Sequence, residues 1–316
     1  MENIEKRVPV LLLVFSSFIF ATTSLYGQTD KEELIGRWNL HVDMDGKNAP
    51  SWLEVKLSGY STLVGYFVGD NGSARPISEI QFDKGNFSFE IPAQWEDTDK
   101  NLKLEGQLSG RKINGKIHHP LGNVYSFEGV EAPLLERDQE PSWGEAVEIF
   151  NGKDLTGWYP DADENQWIVK EGVLINPKAG ANLITDEKYT DFKLLAEFRY
   201  PEGSNSGIYL RGRYEVQIED NPGTPPSSVY FGGVYGFLTP NEMVVKSAGE
   251  WQNFEITLVG RRVTIVANGK SIICDQIIPG ITGGALDSNE GEPGPIMLQG
   301  DHGEVEFRKI TIIPAR

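Results

Sequence analysis

Polar and apolar residues alternate with a period of two along residues 205–220, and the run divides into two short segments that predict adjacent β-strands. In the first segment Ile208 and Leu210 share one face while Tyr209 and Arg211 share the other. In the second, Tyr214, Val216 and Ile218 form an apolar face and leave Glu215, Gln217 and Glu219 opposite. Arg213 joins that polar face if its strand starts early. A sheet face bearing Tyr, Arg, Glu and Gln suits a ligand rich in hydroxyl groups. A solvated face crossed by surface ion pairs is the competing interpretation of the same pattern.

The same period runs through the rest of the chain. Residues 31–130 break into alternating segments at 52–57, 62–68, 87–91, 102–108 and 112–118, with turn signals at Asp70-Asn71-Gly72, Lys84-Gly85-Asn86 and Ser109-Gly110-Arg111. Such even spacing predicts a small antiparallel β-barrel or sandwich. Gly36-Arg37-Trp38 is similar to the opening strand of lipocalin-like barrels, in which the Trp packs one end of the core. Residues 131–144 are charged, proline-bearing and poor in apolar side chains, as a linker would be. From 145 to 316 a second β-rich domain is expected, with strands at 167–170, 172–175, 192–200, 206–211, 214–219, 253–259, 262–267, 296–299 and 305–313. Asn268-Gly269 is a tight-turn signal within it. Many strands, long loops and no long helical pattern predict a two-sheet sandwich, so the whole chain reads as all-β.

Composition narrows the setting. Lys6 and Arg7 precede an apolar run at 8–20, followed by small and polar residues up to Gly27-Gln28, which together read as a signal peptide (1–27) cleaved near Gly27. The expected location is therefore secreted or periplasmic. No later run is long and apolar enough for an integral membrane helix. The net charge of -17 disfavours nucleic acid as a partner. With a single cysteine, Cys274, no disulfide can form within the chain, so the domains depend on their hydrophobic cores.

The distal half also carries a recognisable series of motifs. Phe150-Asn151-Gly152-Lys153-Asp154-Leu155-Thr156-Gly157-Trp158, Asn205-Ser206-Gly207-Ile208-Tyr209-Leu210-Arg211, Tyr214-Glu215-Val216-Gln217-Ile218, Gly233-Val234-Tyr235-Gly236, Gly249-Glu250-Trp251-Gln252 and Gly294-Pro295-Ile296-Met297-Leu298-Gln299-Gly300-Asp301-His302-Gly303 occur in this order. The region 145–316 thereby resembles the 3-keto-disaccharide hydrolase family, built on a concanavalin A-like jelly roll. The resemblance implies a hydrolase or lyase that cleaves 3-keto-glycosides. The ketone acidifies the C2 hydrogen, a base removes it, the C1 oxygen leaves, and water adds to the enone. That route needs a base, an electrophile for the enolate oxygen and an acid for the leaving group.

Glu215 is the expected base, Arg211 the enolate stabiliser and His302 an acid or base. Asn205, Tyr209, Gln217 and Gln299 are expected to orient hydroxyl groups, and Tyr235 and Lys246 are further expected substrate contacts. No metal ligands are assigned, since no His/Cys cluster has zinc spacing. A divalent ion that polarises the keto oxygen stays open as a cofactor, as does calcium in the acidic loop 287–292. Two other functions compete. A retaining glucanase would use Glu215 and Glu219, whose Cα atoms would lie about 13 Å apart on a regular strand, whereas retention needs carboxyl groups about 5 Å apart. A non-catalytic carbohydrate-binding module would rely on aromatic platforms such as Trp158, Trp167 and Tyr235. The partner is in each case an oligosaccharide or glycoside; the oligomeric state and the role of the first domain stay open.

Overall fold

The computed structural model describes residues 31–137 and 139–316; the signal peptide expected at 1–27 lies outside them. After a 3-10 turn at Lys31–Leu34, eight antiparallel strands close into a barrel: β1 (Gly36–Met44), β2 (Lys47–Ser58), β3 (Thr62–Val68), β4 (Arg75–Asp83), β5 (Asn86–Ile91), β6 (Leu102–Ser109), β7 (Lys112–His118) and β8 (Val124–Glu131). β1 pairs with both β2 and β8, so no edge is left open. Alternate residues such as Trp38, Leu40 and Val42 point inward and are buried with Leu53, Val55, Phe67 and Phe89. Side chains fill the interior, as is usual in a barrel of this strand number. Trp38 packs one end, its indole donating to the Leu34 carbonyl at 3.0 Å.

The remaining strands form two sheets. They are β9 (Val147–Glu148), β10 (Trp158–Pro160), β11 (Ile168–Lys170), β12 (Val173–Asn176), β13 (Leu183–Thr185), β14 (Phe192–Arg199), β15 (Asn205–Leu210), β16 (Tyr214–Glu219), β17 (Gln252–Val259), β18 (Arg262–Ala267), β19 (Lys270–Ile277), β20 (Met297–Leu298) and β21 (Val305–Pro314). The smaller sheet has the order β10-β13-β20-β15-β16. The larger has β11-β12-β21-β14-β17-β18-β19, with β9 beside β21. Ile208, Val216 and Ile218 from the smaller sheet pack against Leu194, Phe198, Phe254 and Ile265 from the larger. The expected all-β jelly-roll sandwich is therefore present. Asn268 and Gly269, both at positive φ, make the predicted two-residue turn from β18 to β19.

The two halves share a packed junction. Trp52 lies on β2, but it belongs to the sandwich core, meeting Phe237 edge-on with ring centroids 5.3 Å apart. Its indole lies so close to Gly280 that a side chain there would clash. Ser288 donates to the Leu40 carbonyl at 2.6 Å. The segment after β8 is also fastened to the sandwich: Arg137 pairs with Asp191 at 2.8 Å, and Arg261 donates to the Pro133 carbonyl at 3.0 Å.

Candidate active site

The register of β15 and β16 puts Tyr209 opposite Glu215 and Gly207 opposite Gln217. Strand alternation then sends the apolar partners into the sandwich core and Tyr209, Glu215 and Gln217 to the outer face of the smaller sheet. That face is not solvated. The segment after β16 folds back along this edge strand, with Tyr235 N–H donating to the Glu215 carbonyl (3.0 Å) and Gln217 N–H to the Gly233 carbonyl (2.9 Å). From the other side Gln299 N–H donates to the Gly207 carbonyl at 2.9 Å. The result is a cleft of about 430 Å³ lined by Asn182, Asn205, Tyr209, Glu215, Gln217, Tyr235, Met297, Gln299, Asp301 and His302, together with Asn71, Gly72 and Trp95 from the barrel.

Glu215 is the buried acid of this cleft. Its Oε2 accepts from the Tyr209 hydroxyl at 3.0 Å. Its Oε1 lies over Gly207, where an added Cβ would sit 2.5 Å away, so only glycine leaves room for the carboxyl group. Burial pushes the Glu215 carboxyl up to about 8, against the opposing effects of the Tyr209 hydrogen bond and the His302 charge. Burial likewise holds the Tyr209 hydroxyl well above its ordinary value, and the Tyr235 hydroxyl is raised for the same reason.

His302 stands at the rim, half exposed, with Nδ1 2.6 Å from Asp301 Oδ1. That bond raises the imidazole above its usual value in spite of partial burial. The loop carrying the pair is anchored from below by Asn176, whose amide donates to the carbonyls of Gly300 (3.1 Å) and Gly303 (2.7 Å). Two amide oxygens of the cleft, Oε1 of Gln217 and Oε1 of Gln299, are buried without a hydrogen-bond partner. Buried acceptors are rarely left so, and both residues belong to the lining of the cleft. Among the described residues no group of three His, Cys, Asp or Glu side chains converges to hold a metal.

Two expected site residues lie elsewhere. Arg211 does not share a face with Tyr209, because β15 ends at Leu210 and Arg211 takes a left-handed φ of 54° in the following turn. Its guanidinium is buried, donating to the Tyr214 hydroxyl and the Gly260 carbonyl, each at 2.9 Å. Lys246 also does not line the cleft; its Nζ donates to the Trp251 carbonyl at 2.8 Å. Arg213, too, turns away from Glu215 and grips Asp287 through two bonds of 2.7 and 3.1 Å. The acidic loop 287–292 is thus occupied structurally: Glu290 is buried between Arg261 and the Tyr214 hydroxyl, both at 2.7 Å. Glu219 is held by the Asn221 amide at 3.1 Å and does not line the cleft.

Asn182, Met297, Asp301 and the three barrel residues escaped sequence reasoning. Asp301 lay within a quoted motif, and Asn71-Gly72 within a turn signal. Trp95 carried a further signal, an aromatic residue in the polar stretch between β5 and β6.

A buried, upshifted carboxyl group on the outer face of a jelly-roll sheet, ringed by amides and hydroxyls, defines a β-sandwich protein whose site is built for a polyhydroxylated ligand. The chain belongs to the 3-keto-alpha-glucoside-1,2-lyase-like domain family, whose model matches residues 145–313. This agrees with the resemblance seen in the motifs. Among solved structures, the chain is similar to three proteins of Parabacteroides distasonis ATCC 8503 assigned as glycosyl hydrolases. The first is 26% identical, with 56% of this chain and 92% of that chain covered and a TM-score of 0.47. The second is 19% identical, covering 54% and 94% with a TM-score of 0.44. The third is 26% identical, covering 54% and 98% with a TM-score of 0.42. A search of curated proteins gave no match.

Proposed function

We propose that the protein is a carbohydrate-active enzyme that cleaves the glycosidic bond of 3-keto-glycosides by elimination followed by hydration. The family membership supports the substrate class, and one observation carries the mechanism. The Glu215 carboxyl group is buried in the cleft and pushed up to about 8, the range in which a carboxylate becomes an effective base for a carbon acid near neutral pH.

In this mechanism the ionised Glu215 takes the proton from C2, and the C–H electron pair moves into a C2–C3 double bond, placing negative charge on the keto oxygen. The enolate then re-forms the ketone, a C1–C2 double bond forms and the C1–O bond breaks. The departing oxygen takes a proton from His302, whose cationic form Asp301 stabilises. Water adds across the C1–C2 bond, OH at C1 and H at C2, to complete net hydrolysis. Arg211 is engaged in its own buried network, so the enolate oxygen falls to donors of the cleft, the Tyr235 hydroxyl and the Asn205 amide. The amides of Gln217 and Gln299, which line the cleft, orient sugar hydroxyls. The leader read at 1–27 puts this activity outside the cytoplasm.

The retaining-glucanase alternative has less support, because Glu219 does not line the cleft. The test is product analysis of the full mature chain with a 3-keto-glucoside and with the same glucoside unoxidised, each with and without a chelator. Cleavage of the ketone alone is expected, and cleavage of both sugars overturns the elimination route. Binding of either sugar without cleavage would point to a carbohydrate-binding module.

A further inference from the structure

The cleft has one wall that the sandwich does not build. Asn71 and Gly72 reach it from the β3–β4 connection and Trp95 from the β5–β6 connection, so the barrel contributes directly to the cavity that holds Glu215. Trp95 is 61% exposed, although burying an indole is among the more favourable things a fold can do with it. The loop that presents it is nevertheless ordered by specific bonds. The N–H groups of Gln94 and Trp95 both donate to Glu96 Oε2, at 2.9 and 3.2 Å, and Glu96 pairs with His119 at 3.2 Å.

The indole is also held in place from beneath. It lies against Gly72, where an added Cβ would come within 2.8 Å of Cζ3, and Gly72 has a φ of 86° that glycine adopts freely. Gly72 in turn lies against Gly283, where an added Cβ would clash with the Gly72 backbone. The neighbouring Gly284 N–H donates to the Asp70 carbonyl at 2.7 Å. The Gly283 carbonyl is 2.9 Å from the Tyr209 hydroxyl that contacts Glu215. Two glycines and one tyrosine therefore set the spacing between the Trp95 ring and the buried acid.

We propose that Trp95, with Asn71 beside it, forms a barrel-built subsite for the leaving sugar or other cyclic unit, the indole stacking on that ring's apolar face. The inference rests on the carbohydrate reading of this cleft. Its chemistry complements the sandwich wall, where amides and carboxyl groups meet hydroxyls. A pyranose has both a hydroxylated rim and apolar C–H faces, and the exposed indole supplies the flat apolar surface for the latter. The barrel is thus a specificity element for the leaving unit rather than a separate module.

The test is calorimetric titration of the full mature chain, as wild type, W95A and W95F, with a glucose disaccharide and with methyl glucoside, alongside a cleavage assay on a 3-keto-disaccharide and a methyl 3-keto-glucoside. Because Trp95 is largely exposed, W95A is expected to fold normally. For W95A we expect disaccharide binding to weaken about tenfold, KM for the 3-keto-disaccharide to rise in parallel, and both methyl glycosides to be handled as by wild type; W95F recovers part of the loss. Equal disaccharide binding by wild type and W95A, or binding of neither sugar by wild type, overturns the subsite. A wild type that cleaves no ketone yet shows disaccharide binding dependent on Trp95 keeps the subsite and overturns the elimination reading instead.

Discussion

The Tyr209 hydroxyl lies 3.0 Å from Glu215 Oε2 and 2.9 Å from the Gly283 carbonyl, yet it has one proton to donate. When Glu215 is protonated, its own O–H can donate to Tyr209 and leave the tyrosine proton for Gly283. When Glu215 is ionised, the tyrosine proton turns to the carboxylate and Gly283 loses its donor. The protonation state of the acid is thereby coupled to the contact that backs the barrel loop. Tyr209→Phe removes the bond that favours ionised Glu215, so the acid limb of the pH–rate profile should move to higher pH. A profile with an unmoved acid limb would count against Glu215 as the base.

Glu215→Gln should lower turnover by about three orders of magnitude, the middle of the usual range for a lost general base. Its effect on stability should run the other way. Glu215 titrates at about 8 in the folded protein and at the ordinary carboxylate value when unfolded, so between those limits the folded state binds the additional proton. This group's contribution to stability is fully present below the unfolded value and is lost as pH rises through about 8. At about 1.4 kcal/mol per pKa unit, the loss amounts to several kcal/mol. Denaturant melts at pH 5 and pH 9 should show a smaller loss for Glu215→Gln than for wild type; identical pH dependence would contradict the upshift.

Gly207→Ala tests the placement of the same carboxyl group without changing its chemistry. The new methyl would occupy the space of Glu215 Oε1 and push the acid aside. A misplacement on the order of 1 Å can cost about 10²-fold in rate. We expect kcat to fall by that factor while the thermal transition moves only slightly, read from steady-state kinetics and a melt on one preparation.

Asp301→Asn removes the bond that raises His302. The imidazole then loses its proton at lower pH, and the basic limb of the pH–rate profile should shift down. An NMR titration of the His302 ring protons reads the change directly. A basic limb that stays in place while the ring titration moves would remove His302 from the acid's role.

Arg211→Ala should act on stability rather than on chemistry. The substitution leaves the Tyr214 hydroxyl and the Gly260 carbonyl without their donor and weakens the positive surroundings of buried Glu290. Losing one member of such a buried charged network typically costs about 3–5 kcal/mol. A denaturant melt should show a loss of that order, with kcat for the remaining folded protein near wild type. A folded variant with abolished kcat would restore Arg211 to the catalytic set.

What the sequence determined by itself is what local alternation can encode. The period of two along 205–220 sorted Ile208, Val216 and Ile218 into the core and Tyr209, Glu215 and Gln217 onto one face, because successive side chains of a strand must point to opposite sides. Family motifs and turn signals likewise announced an all-β chain ending in a jelly roll. Tertiary structure decided the rest, because those properties depend on residues far apart in the chain. Arg211 left the face only because the backbone enters the left-handed region one residue after β15 ends. Glu215 became an upshifted acid only because the segment after β16, the 282–302 region and the barrel close over a face that alternation alone would have left in water. Trp95 reached the cleft because Trp52 and Ser288 dock the barrel on the sandwich, and no periodicity within either half encodes that contact.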